Sequence, residues 1–208
     1  KIRVGYVSAD LCRHVVAFFA YALLRAYDHN AFEVYCYMNG AEDGVSDEFR
    51  GWVDGWRNVR GQSYAAIAQQ IYDDEIDILF DLGGHTAGNL LPVFAYRPAP
   101  IQMTGIGYFD TTGLPEMDAF LADRVTLPEG ETAPFTERIL RMEHSHLCYM
   151  WHDDPPHEGP LPAGQQGFVT FGSLNDFAKV HDDVLALWSE VLAAVPGSRL
   201  FLKGMIFD

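Results

Sequence analysis

Basic residues are scarce in this chain of 208: 14 Lys and Arg stand against 29 Asp and Glu, a formal net charge of −15. Nucleic acid and anionic membrane surfaces call for a basic footprint, so neither is expected as the main partner. A small anionic ligand remains compatible, because a few backbone amides and one lysine can hold it. Cysteine is scarcer still. Cys12, Cys36 and Cys148 are odd in number, far apart and without CxxC spacing, which argues against a disulfide framework or a zinc site and fits a reducing cytoplasm. No apolar run reaches the length of a membrane span, and the chain opens on a strand rather than a secretory leader; Lys1 reads as a boundary within a longer chain. A GxGxxG cradle is missing after the first strand, where the chain reads SADLCRH, and so are the GxSxG elbow and the P-loop. Dinucleotide-binding, hydrolase and phosphoryl-transfer readings lose their supporting motifs.

What is present is hydrophobic: 49% of the residues, enough for one full core and the start of a second. Ile2 to Ser8 reads as a strand, and Val15 to Ala26 as a helix whose Phe18, Ala22, Leu23 and Ala26 share a face. Phe32 to Tyr37 is a second strand; Ser46 is placed to cap a helix over Asp47 to Asp54; a short strand is expected at Arg57 to Val59. Ser63 to Asp74 carries Ala66, Ile67, Ile71 and Tyr72 on one face, which predicts an amphipathic helix. Alternation of this kind implies a mainly parallel α/β sheet, Rossmann-like, with helices on both faces.

The chain is organised around Asp81 to Gly113. The apolar run Ile76, Ile78, Leu79, Phe80 reads as a strand buried on both faces, and a loop with Gly83, Gly84, Thr86 and Gly88 follows it. Asn89 is placed to cap a helix from Leu90 to Tyr96, which Arg97-Pro98-Ala99-Pro100 ends; Ile101 to Thr104 then runs into a second glycine-rich loop, Gly105 to Gly113. Two polar loops thus leave the carboxyl ends of two strands, the edge where open α/β sheets bind ligands. Further on, Ala119 to Asp123 and Arg138 to Met142 are short strands or edge segments. Pro155 to Pro162 reads as linker, and Phe168 to Gly172, Asp182 to Val195 and Arg199 to Lys203 open a second βαβ unit. The expected division is 1–150 for the first domain, 151–165 for a linker and 166–208 for the start of a second domain too small for its own core.

Several stretches in order, RVGYVSAD with His14 after it, FEVYCY, DILFDLGGHTAGN, FAYRPAPIQMTGIGYFDTTGLPEMD, ADRVTLPEG, HSHLCY and FVTFGSLNDFAKV, resemble the catalytic region of glycosyltransferase family 41. That family comprises the O-linked N-acetylglucosamine transferases and the SPINDLY-type O-fucosyltransferases. The resemblance implies a GT-B arrangement, with all of the first Rossmann-like domain and the start of the second. It implies transfer of a sugar, N-acetylglucosamine from UDP-N-acetylglucosamine first and fucose from GDP-fucose second, to Ser or Thr hydroxyls of a protein acceptor, inverting and without metal or other cofactor. The tetratricopeptide repeats that commonly precede this region are not found in the chain. A fragment lacking most of the donor-binding domain is expected to be inactive alone.

Such a transfer needs an aimed hydroxyl, a route for its proton and donors for the departing pyrophosphate. A lone histidine after a strand is ordinarily a cap or loop residue. The resemblance makes His14 a candidate for proton acceptance or acceptor positioning, and His85 with Thr86 a donor-side contact as well as a turn. Gly107 resembles the family residue whose backbone approaches the donor sugar, with Ile106 next to it, although a glycine there also serves a tight loop. Lys179, four residues after Asn175 at the opening of the next helix, is suited to the phosphates, and the family's pyrophosphate lysine falls at this position. The chain departs from the family at Val15, Phe18, Gly105 and Phe109, which leaves a degenerate protein-binding module as an alternative. No DxD metal motif is present, and His144, His146, His152 and His157 read as a solvated loop. Trp52 and Trp56, at helical spacing, read as packing.

Overall fold

The computed structural model describes residues 1–130, 134–150 and 157–204. It forms two compact units, Lys1–Asp154 and Pro155–Asp208. His152, the start of the expected linker and residues 205–208 lie outside the described residues.

The first unit is a seven-stranded sheet. Its strands are β1 (Ile2–Ser8), β2 (Phe32–Met38), β3 (Gly55–Asn58), β4 (Ile78–Asp81), β5 (Ile101–Thr104), β6 (Ala119–Asp123) and β7 (Arg138–Met142). They lie side by side as β3-β2-β1-β4-β5-β6-β7, and every pairing is parallel. Parallel neighbours require crossovers, and helices α1 (Val15–Arg25), α2 (Gly44–Trp52), α3 (Tyr64–Asp73) and the single turn α4 (Leu91–Phe94) supply them. Val7, Tyr37 and Leu79 face α3 and α4, while Cys36, Met38 and Phe80 face α1 and α2. Alternate residues of the same strands thus fill two cores. Between β5 and β6 the described chain crosses without a helix, so the loop after β5 is free to build the carboxyl edge.

Several sequence expectations shift. α1 buries Val16, Ala17, Ala20, Tyr21 and Leu24 instead of the face through Phe18 and Leu23, because a helix apolar nearly all round has no periodicity that selects one face. In α3, Ile67, Ala68 and Ile71 are buried, whereas Tyr72 is exposed. Ser63 caps α3. The cap of α2 is Asp43, not Ser46. The Asp43 carboxylate accepts from the amides of Val45 and Ser46, and the Ser46 hydroxyl accepts from the Asp43 amide, a reciprocal capping box. Trp56 lies on β3, so it shares no helix face with Trp52; its indole donates to Glu42.

The second unit contains α5 (Pro162–Gln166), β8 (Thr170–Ser173), a 3-10 turn (Phe177–Lys179), α6 (Asp182–Ala194) and β9 (Arg199–Leu202). β8 and β9 pair in parallel around α6. Among the described residues none of these elements buries a residue, and Leu174, Leu187 and Phe201 are exposed. That agrees with a unit too small to enclose a core.

Candidate functional site

The strand order reverses at β1: the chain moves outward through β2 and β3, then returns to lay β4 on the other side. Loops leaving β1 and β4 start side by side there, at the edge where open α/β sheets bind ligands. His14 lies in the first of these loops, His85 and Thr86 in the second, and Ile106 and Gly107 in the loop after β5.

His14 is the N-cap of α1, and its Nδ1 accepts the Val16 amide at 3.3 Å. A ring nitrogen that accepts carries no proton, so the neutral imidazole holds its proton on Nε2 and presents a donor outward. The Asp10 carboxylate lies 3.8 Å from the same Nδ1, and the imidazole is half exposed.

Asp81, at the end of β4, organises the second loop. Its buried carboxylate accepts from the amides of Gly83 (3.1 Å) and Gly84 (2.8 Å) and from the Thr104 hydroxyl (2.7 Å). Burial pushes this carboxyl above its ordinary value against the opposing hydrogen bonds. The Thr86 hydroxyl donates 2.7 Å to the Gly83 carbonyl, closing the turn. Asn89 donates to the Thr86 carbonyl and accepts from Leu91. α4 is one turn long rather than the helix expected over Leu90 to Tyr96, and Leu90 occupies its cap position.

The loop after β5 is pressed against this one. A Cβ at Gly107 would overlap the Leu82 carbonyl oxygen and meet the Val16 side chain at 3.3 Å. Close approach, not positive φ, is therefore what Gly107 provides. The left-handed backbone falls on Ile106, whose φ is 72° and whose side chain is buried. For a β-branched residue this stores roughly 1–3 kcal/mol, held by the packing around it. Gly84 has φ +50° and would collide with the Tyr108 ring if it carried a Cβ. His85 packs edge-on to Tyr108, and its Nε2 donates to the Thr112 carbonyl.

Two features that brace these loops and strands were not read from the sequence. Glu137, just before β7, is buried and accepts from the Thr112 amide and hydroxyl and the Thr111 hydroxyl. Burial opposes its ionisation, but those hydrogen bonds outweigh it and hold the carboxyl below its ordinary value. The second is His146, expected in a solvated loop but buried. Its Nδ1 lies 2.6 Å from Asp123 at the end of β6. The sequence signal available was an acidic residue closing the apolar run AFLAD.

In the second unit, Asn175 and Lys179 lie in the loop between β8 and α6, again a strand's carboxyl end, and both are exposed. Lys179 ends the 3-10 turn and stands before α6 instead of within its first turn. That first turn holds Asp182 and Asp183, whose charges suit the helix dipole, and Lys179 lies outside it. Among the described residues, Lys179 makes no ion pair and no three His, Cys, Asp or Glu side chains are grouped for a metal.

A doubly wound parallel sheet with polar loops gathered at its order reversal defines a Rossmann-like ligand-binding domain. The family model for Glycosyl transferase family 41 matches residues 1–153, and the chain belongs to that family. It is 38% identical over 205 residues to the probable UDP-N-acetylglucosamine–peptide N-acetylglucosaminyltransferase SPINDLY of Solanum lycopersicum, covering 96% of this chain and 22% of the relative. The SPINDLY of Arabidopsis thaliana is 39% identical, over 97% of this chain and 23% of the relative. A solved mutant of the O-GlcNAc transferase of Thermobaculum terrenum superposes with a TM-score of 0.86 at 37% identity, over 97% of this chain and 38% of that one. The fold is of the GT-B glycosyltransferase type: a Rossmann-like domain followed by a second βαβ unit. The chain spans less than a quarter of the length of these curated relatives.

Proposed function

We propose that the protein carrying this chain is an inverting, metal-independent glycosyltransferase that moves N-acetylglucosamine from UDP-N-acetylglucosamine to Ser or Thr hydroxyls of protein acceptors. The observation that supports this reading is membership of family 41, with His14, His85, Thr86, Ile106 and Gly107 on the loops that leave the neighbouring strands β1, β4 and β5. The relatives' names supply the donor and acceptor classes. GDP-fucose is the competing donor.

Each residue has a part in the proposal. Gly84 and Gly107 let the loops after β4 and β5 pack closely, and His85 and Thr86 stand on the first of these loops as the donor-side contacts. Lys179, assisted by Asn175, receives the charge that develops on the departing diphosphate, so no cation or cofactor is required. His14, with an outward Nε2–H, positions the acceptor or an oxygen of the donor by donating a hydrogen bond. As it stands, the chain alone is inactive for want of donor contacts, and the protein works in the cytoplasm. No helix among the described residues is long and apolar enough to cross a membrane.

Calorimetric titration of UDP, GDP, UDP-N-acetylglucosamine and GDP-fucose into the full-length protein, wild type and Lys179→Ala, tests the reading. Micromolar binding of one nucleotide class, weakened roughly ten- to a hundredfold in the variant by loss of a charge-assisted contact, supports it and selects the donor. A folded protein that binds none of the four refutes it.

A further inference from the structure

Among the described residues, three buried side chains leave a polar atom without a partner: Gln102 Oε1, Ser198 Oγ and His146 Nε2. Of these only the histidine titrates. A buried group left unsatisfied costs free energy and calls for an explanation. The surroundings of His146 differ from those of an ordinary structural histidine in three respects.

The first is its tautomer. Asp123 Oδ1 accepts from the amides of Val125 (2.9 Å) and Thr126 (2.8 Å) and from the Thr126 hydroxyl (3.0 Å), while Oδ2 accepts from the His146 amide (3.0 Å). A carboxylate surrounded by donors is an acceptor only, so Nδ1 of His146 donates to it, and in the neutral ring Nε2 keeps its lone pair. This is the orientation of a base held by a buried acid. It is the reverse of His14, whose Nδ1 is occupied by the α1 cap. The second is its place. Asp123 closes β6 at the carboxyl edge, and the segment with His146 returns to α1, where the Met150 amide donates to the Phe18 carbonyl, one turn beyond His14. The third is its cover. The ring of Phe109, from the same loop as Gly107, lies edge-to-face on the imidazole with centroids 5.9 Å apart, yet Phe109 is itself 61% exposed. Little packing resists its rotation away.

We propose that His146, aligned by Asp123 and gated by Phe109, is the proton acceptor for the acceptor hydroxyl, an inference that rests on the transferase reading above. When Phe109 swings aside, Nε2 takes the proton of the Ser or Thr hydroxyl as its oxygen bonds to the anomeric carbon. The bond from that carbon to the diphosphate oxygen breaks, and its electron pair leaves with the nucleotide diphosphate. Asp123 stabilises the imidazolium, which returns its proton to water after product departs.

The test measures donor binding and transfer to a serine-containing peptide side by side in the full-length protein. His146→Ala is expected to bind UDP-N-acetylglucosamine as wild type does and to transfer at least about a hundredfold more slowly. Added imidazoles should restore the rate in proportion to their basicity, a dependence that a packing role does not produce. Wild-type transfer in the variant, or a loss that no imidazole restores in a folded protein, overturns the proposal and leaves the transferase reading standing. Because the substitution strips a buried carboxylate of its partner and can unfold the domain, nitrogen-15 spectra of histidine-labelled wild type give an independent reading. The expected result is an Nδ1–H tautomer whose Nε2 resonance moves when acceptor peptide is added with donor. An Nε2 that is protonated in the neutral ring, or unmoved at saturating peptide, overturns the proposal. A wild type that neither binds donor nor transfers sugar overturns both readings.

Discussion

His85 Nε2 donates to the Thr112 carbonyl over 3.0 Å, tying the loop after β4 to the loop after β5. Thr112 is in turn held by Glu137 through its amide and hydroxyl, so the loops after β4 and β5 and the segment entering β7 share one chain of hydrogen bonds. Replacing His85 by Ala removes the first link from an exposed side chain. The expected loss is about 0.5–1.5 kcal/mol in urea unfolding, with faster amide exchange confined to the two loops.

Glycine 107 has no room for a methyl group. Gly107→Ala sets a Cβ against the Leu82 carbonyl, a backbone atom that cannot turn away as a side chain can. The variant should lose about 1–3 kcal/mol. Gly44→Ala, with open space at its Cβ in the first turn of α2, is the control and should match or exceed wild type.

The acid stability of the domain should depend on Glu137. Its folded-state pKa lies below the ordinary value of 4.5, so the unfolded chain binds the proton more readily and stability rises with pH across that interval. The contribution is complete above the ordinary value and is lost as pH falls through the folded one. Glu137→Gln should flatten this part of the profile in chemical unfolding at a series of pH values, and should cost about 1–3 kcal/mol at neutral pH.

Capping and chemistry at His14 separate by substitution. Asn is a good N-cap, so His14→Asn should hold α1 and unfold at the wild-type denaturant midpoint. His14→Ala should lose about 0.5–2 kcal/mol. If His14 contributes a hydrogen bond to substrate, both variants lose transfer rate alike, a split that a purely structural cap would not give.

The sheet was legible in the sequence because most of its strands are short runs rich in apolar residues between turn signals, and β4 through β7 fall where such runs lie. The buried face of α1 was not, since Phe18 and Leu23 are as apolar as the Ala20 and Leu24 that displace them toward the core. The left-handed Ile106 has no signature when glycines flank it on both sides and each invites that role. His146 was misplaced for a different reason. Its partner Asp123 lies 23 positions earlier, at the end of β6, and no local pattern of histidines reports a pairing with so distant a residue.

The order reversal at β1 also bears on how the chain is made. Val4 pairs first with Val34 on one side, but on the other with Ile78, 74 residues further along (78 − 4). During synthesis β1, β2 and β3 can assemble while β4 is still to emerge, leaving one edge of β1 without hydrogen-bond partners over its central residues. An open edge of this kind in a parallel, non-local sheet is slow to close and prone to wrong pairing. The seam between β1 and β4 is, for part of each translation cycle, a place where a chaperone's cover would count.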